Sequence, residues 1–112
     1  MLHPSLGPFL PALRDVCRQL RVQRLYLFGS ALTERFEPGR SDLDVLVQLL
    51  PAPDPLDRGE RLLSLWDALE ALFGRRVDLV TPEQLRNPYF IVELDQTKRL
   101  VYDVASETET AV

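Results

Sequence analysis

At 112 residues, with 46% apolar and 27% charged residues, the chain has the size and composition of one soluble globular domain whose core is adequate but not generous. A net charge of −4 argues against nucleic-acid binding through a basic surface, yet it leaves room for a nucleotide whose charge a divalent cation offsets. The single cysteine, Cys17, excludes an internal disulfide, and no apolar run is long enough to span a bilayer.

The first ten residues carry two prolines and no basic side chain, so no signal peptide is expected there, and cytoplasmic localisation is the expectation. Residues 5–20 read as an amphipathic helix. Leu6, Phe9, Leu10, Leu13, Cys17 and Leu20 keep helical spacing, with Cys17 as a buried small apolar residue and Pro11 obscuring the true start. His3, the only histidine, precedes this helix and is not expected to be catalytic. Residues 22–28 predict a first strand, 30–35 a short helix and 37–40 a turn. Residues 43–49 predict a second strand, followed by a stiff loop with three prolines between 51 and 55.

Residues 56–73 give the clearest helical pattern. Its stripe runs Leu62, Leu65, Trp66, Leu69, Leu72 and Phe73, with Trp66 expected in the core and Gly74 at the C-terminal stop. A third strand is predicted at 76–81, then a helical turn with Thr81 as cap and Pro82 in first position. A helix opening at Asn87-Pro88 runs to Asp95 or Gln96, with Tyr89 and Phe90 expected to pack, and a last strand spans 99–104. Residues 1–104 are expected to form one domain and 105–112 a polar, disordered tail. Helices alternating with strands define an α/β class.

Side chains alternate across a strand, so Asp42 and Asp44 project from one face while Leu43, Val45 and Val47 project from the other. By the same parity Asp78 opposes Val77 and Leu79. Carboxylates crowded into a run that otherwise favours burial are costly unless a cation neutralises them. Mg²⁺ suits such a group because it takes oxygen ligands and keeps places for water and substrate phosphates. The turn Gly29-Ser30, after the apolar run Leu25-Tyr26-Leu27-Phe28, offers a close backbone approach and a hydroxyl for a phosphate oxygen. Each element alone is commonplace: a Gly-Ser pair is usually a turn, Asp-x-Asp usually a solvated edge, and Asp78 could simply pair with Arg75 or Arg76. Together they point to a metal site beside a phosphate-binding turn, suited to in-line displacement at phosphorus.

The stretch Leu27-Phe28-Gly29-Ser30, then eleven residues, then Asp42-Leu43-Asp44-Val45-Leu46-Val47, resembles the polymerase-β-type nucleotidyltransferase signature. The match extends to Arg76-Val77-Asp78-Leu79-Val80-Thr81 and covers most of residues 12–103. The length is similar to that of the minimal nucleotidyltransferases (MNT), which include MntA-like antitoxins. The resemblance implies a small mixed β-sheet with helices packed mainly on one face. It implies ATP as substrate with Mg²⁺, Gly29 and Ser30 against the nucleotide, and Asp42, Asp44 and Asp78 as metal-binding and catalytic carboxylates. It also implies a HEPN-type helical toxin as partner, assembled with the antitoxin, and AMP transfer to a hydroxyl of that partner. No membrane and no direct nucleic-acid partner is expected.

The gap from Ser30 to Asp42 is one residue longer than the usual pattern, and residues 32–36, Leu-Thr-Glu-Arg-Phe, lack the Arg-Gly pair common there. Arg35 and Arg40 are the candidate substitutes for a phosphate contact, against the reading that both are solvated surface arginines. Two other functions are weighed: transfer to a small molecule such as an aminoglycoside, and a non-catalytic antitoxin that neutralises its partner by occlusion. Tyr102 is expected to be a strand residue, with nucleotide acceptor as the alternative.

Overall fold

The computed structural model describes residues 2–37 and 40–106. Part of the expected turn at 37–40 and most of the expected tail lie outside these residues.

Among the described residues four strands form one sheet: β1 (Val22–Phe28), β2 (Leu43–Leu49), β3 (Val77–Val80) and β4 (Arg99–Asp103). Their order is β3-β2-β1-β4. β1 runs antiparallel to both β2 and β4, and β2 pairs in parallel with β3, so the sheet is mixed. Among the described residues three α-helices accompany the strands: α1 (Leu10–Gln19) precedes β1, α2 (Pro55–Phe73) links β2 to β3, and α3 (Pro88–Thr97) links β3 to β4. The parallel step from β2 to β3 needs a crossover, and α2 supplies it.

The N-terminal segment departs from the single helix expected over 5–20. Pro4–Phe9 forms a 3₁₀ helix and the α-helix starts only at Leu10, with Pro11 tolerated in its first turn. The long helix begins where side-chain chemistry permits. The Asp54 carboxylate accepts the Asp57 amide at 2.7 Å, Pro55 occupies the first turn, and Gly74 closes the helix with a left-handed φ of 63°.

Leu13 and Cys17 of α1 and Leu65, Leu69 and Phe73 of α2 pack on one face of the sheet. That face presents Leu25, Leu27, Leu43, Val45, Val47, Val77 and Leu79, all buried as the alternation predicts. Trp66 departs from its expected core position. It is 38% exposed and sits at the sheet edge, where its indole N–H donates to the Val77 carbonyl at 2.8 Å. The Glu70 carboxylate accepts the Val77 amide at 2.9 Å, so α2 side chains occupy the outward polar groups at the start of β3.

The opposite face is not bare. Tyr26 pairs with Leu46 and Phe28 with Asp44, so Tyr26 and Phe28 stand on the carboxylate face. Phe90 meets Phe28 edge-on with ring centroids 6.3 Å apart, and the Lys98 ammonium lies 4.4 Å from the Tyr26 ring centroid. α3 therefore covers the β1 side of this face. Leu46 and Leu94 are buried there, outside the main apolar cluster. Tyr89, expected to pack, is instead 87% exposed. Tyr102 is buried at 3% exposure, which removes it as a nucleotide acceptor.

Candidate active site

Gly29, Ser30, Asp42, Asp44 and Asp78 lie toward the end of the sheet where β1 finishes and β2 and β3 begin. Phe28 is opposite Asp44 in the antiparallel ladder, and Asp44 is opposite Asp78 in the parallel one. Neighbouring strands lie ~4.8 Å apart, so the two carboxylates project side by side from one face. The negative charge of Asp78 acts directly on Asp44. Asp42 precedes β2, is exposed, and acts on Asp44 through its charge.

This crowding is visible in Asp44. Burial, then the negative charges of Asp78 and Asp42, push its carboxyl up from an ordinary 3.8 to about 6. Asp78 is not paired with Arg75: that guanidinium instead donates to the carbonyls of Glu37 and Ser41 at 3.4 and 3.2 Å and lies over the Phe36 ring at 4.5 Å. Among the described residues none of the three aspartates forms an ion pair. Nor, among those residues, do three or more His, Cys, Asp or Glu side chains gather tightly enough to enclose a metal. Two adjoining carboxylates without a protein cation fit Mg²⁺ better than a closed cage would, since Mg²⁺ binds through one or two carboxylates plus substrate phosphates.

The turn after β1 is shaped to meet this group. Gly29 has φ of 69°, a left-handed conformation, and a Cβ at that position would collide with the Asp44 carboxylate. Glycine is required there both by backbone geometry and by the close approach of Asp44. Residues Gly29–Leu32 form a short 3₁₀ turn, less regular than the helix expected over 30–35, and the Ser30 carbonyl accepts from the Thr33 amide at 2.9 Å. A cleft of about 650 Å³ opens between this turn and α3, with Phe28, Gly29, Ser30 and Arg35 on one side and Phe90 and Gln96 on the other. Arg35 thus reaches the site region. Arg40 is exposed and lies 3.8 Å from the Glu37 carboxylate. A second cavity of about 630 Å³ lies under the proline-rich loop, lined by Gln48, Pro53 and Arg58, and contains none of the predicted site residues.

Two contributors were not apparent from the sequence. Arg75 ties down the chain entering Asp42, together with a 2.8 Å hydrogen bond from the Glu37 amide to the Ser41 hydroxyl. The inward side of α3 completes the cleft. Neither bears a local signal, because both contacts join segments far apart in the chain.

The nucleotidyltransferase domain model matches residues 10–101. A Methanocaldococcus jannaschii protein named "Putative protein adenylyltransferase MJ0128" is 35% identical over 77 residues, which cover 68% of this chain and 72% of that protein. A solved structure described as a "putative minimal nucleotidyltransferase" superposes with a TM-score of 0.63 at 27% identity, over 88% of this chain and 95% of the other. A toxin–antitoxin crystal structure with AMP-PNP gives a TM-score of 0.62 at 20% identity, over 90% and 78% of the two chains. A tri-AMPylated Shewanella oneidensis HEPN toxin in complex with its MNT antitoxin gives 0.53 at 20% identity, over 92% and 76%. With the signature running from Gly29-Ser30 through Asp42 and Asp44 to Asp78 on one sheet end, and the domain match spanning most of the sequence, the chain belongs to the nucleotidyltransferase domain family and has the fold of its minimal members.

Proposed function

We propose that this nucleotidyltransferase transfers AMP from ATP to a hydroxyl of a HEPN-type protein partner and acts as the antitoxin of that pair. The observation that carries the reading is the Asp44–Asp78 carboxylate pair against the Gly29-Ser30 turn. The protein-acceptor clause is supported by the name of the M. jannaschii relative and by the AMPylated toxin in the S. oneidensis complex.

In this mechanism Asp42 and Asp44 would hold Mg²⁺, with Asp78 abreast of Asp44. When bound, Mg²⁺ offsets the charge of the triphosphate and of the departing pyrophosphate. The turn at Gly29-Ser30 orients the phosphates through backbone N–H groups and the Ser30 hydroxyl, and Arg35 adds positive charge at the same cleft. The acceptor oxygen attacks the α-phosphorus, the bond to pyrophosphate breaks, and the hydroxyl proton passes to Asp78. Asp42 is exposed, so the acceptor side of the group stands open to a partner surface.

One observation favours a second reading, neutralisation by occlusion: the loop between Ser30 and Asp42 is longer than the family pattern and lacks its Arg-Gly pair. Pyrophosphate release from ATP and Mg²⁺, with and without the HEPN-type partner, separates the two. Catalysis requires partner-dependent release that Asp42→Ala abolishes, and occlusion requires none.

A further inference from the structure

We propose that the cleft between the Gly29-Ser30 turn and α3 is a nucleoside subsite that selects a purine bearing an exocyclic amine, with Phe90 as the stacking wall and Glu93 and Gln96 as readers of the base edge. The proposal rests on the nucleotide reading above and adds which part of the chain recognises the base.

The cleft has two chemically distinct sides. At the turn side stand Ser30 and Arg35, a hydroxyl and a cation suited to phosphate. At the α3 side stand Phe90, Glu93 and Gln96, spaced three residues apart so that they share one helical face. Glu93 repels phosphate, which fixes the orientation: phosphates at the turn and base at α3. The volume of about 650 Å³ falls in the range of small-molecule sites.

Phe90 is 41% exposed even though it meets Phe28 edge-on at 6.3 Å. An apolar ring half open to a cleft offers the planar surface on which a base stacks. The Glu93 carboxylate only accepts hydrogen bonds, and the Gln96 amide both donates and accepts. That set complements a base edge carrying an amine beside a ring nitrogen. Phe28, which lines the cleft and is the ladder partner of Asp44, also puts the base on the carboxylate face of the sheet.

The test is calorimetric titration of the full chain with Mg²⁺ and either α,β-methylene-ATP, which cannot transfer AMP, or inorganic tripolyphosphate. Phe90→Ala is expected to weaken the ATP analogue about tenfold, as loss of one base–aromatic stack does, while tripolyphosphate binding stays within about twofold. ITP, which lacks the amine, is expected to compete about fivefold more weakly than ATP against wild type and equally with ATP against Glu93→Ala/Gln96→Ala. All three side chains are exposed, so their truncation leaves the core intact, and unchanged melting checks this. Analogue affinity unchanged in Phe90→Ala, or equal competition by ITP and ATP in wild type, overturns the subsite while tripolyphosphate binding keeps the nucleotide reading standing. Wild type that binds neither probe overturns both.

Discussion

Replacing Asp44 by Asn isolates the energetic cost of crowding carboxylates at the site. In the folded chain the Asp44 carboxyl is raised from 3.8 to about 6, above its unfolded value, so protonation favours the folded state. The resulting stabilisation is complete below about pH 3.8 and is lost as pH rises through about 6, leaving wild type penalised at pH 8. At ~1.4 kcal/mol per pH unit the ceiling of that penalty is ~3 kcal/mol, and solvent screening of a half-buried group lowers it to about 1–2 kcal/mol. Asn keeps the shape and a hydrogen-bonding oxygen but carries no charge. Urea unfolding in EDTA, at pH 4.5 and pH 8, is therefore expected to show the Asp44→Asn variant more stable than wild type by about 1–2 kcal/mol at pH 8, with the gap shrinking at pH 4.5. A variant no more stable than wild type at pH 8, or a gap independent of pH, refutes the repulsion argument.

Mg²⁺ with a nucleotide should reverse that ranking, since ligand binding at ~100 times its Kd adds about 2.7 kcal/mol to wild type and thermal unfolding should show much less gain in Asp44→Asn. Gly29→Ala forces a Cβ into the Asp44 carboxylate at a left-handed φ, so chemical denaturation should show a loss of about 1–3 kcal/mol together with loss of nucleotide binding. Arg75→Ala releases the carbonyls of Glu37 and Ser41, and limited proteolysis should then cut between Phe36 and Asp42 faster while global stability falls by only about 1–2 kcal/mol. Because the carboxylates act as one unit, Asp42→Ala and Asp44→Ala should each abolish transfer in a pyrophosphate-release assay, and the double variant should be little worse than either.

Local periodicity made much of the scaffold legible. The alternation in Val22–Phe28 and Leu43–Leu49 defines both strands over those residues, and Gly74 marks the end of α2 because only a left-handed residue fits there. The same parity placed Asp44 and Asp78 on the face opposite Val45 and Leu79, and the β2–β3 register puts the two carboxylates directly abreast. Where the reading failed, the cause was local at the N-terminus and tertiary elsewhere. Pro4 and Pro8 break the first helix into a 3₁₀ segment despite its apolar stripe. Trp66 satisfies the helical stripe yet lies at the sheet edge, where its N–H finds the Val77 carbonyl. Phe90 faces Phe28 across more than half the chain, and Arg75 meets the loop before Asp42, and neither contact has a signature in local spacing.

Intact-mass spectrometry of the HEPN-type partner after incubation with this chain, ATP and Mg²⁺ tests the central claim most directly. The account predicts a partner heavier by the mass of one or more AMP groups, an increment that disappears with the Asp42→Ala/Asp44→Ala double variant along with neutralisation of the partner. Equal neutralisation by wild type and the double variant, with no added mass in either case, would contradict it and leave occlusion as the mechanism.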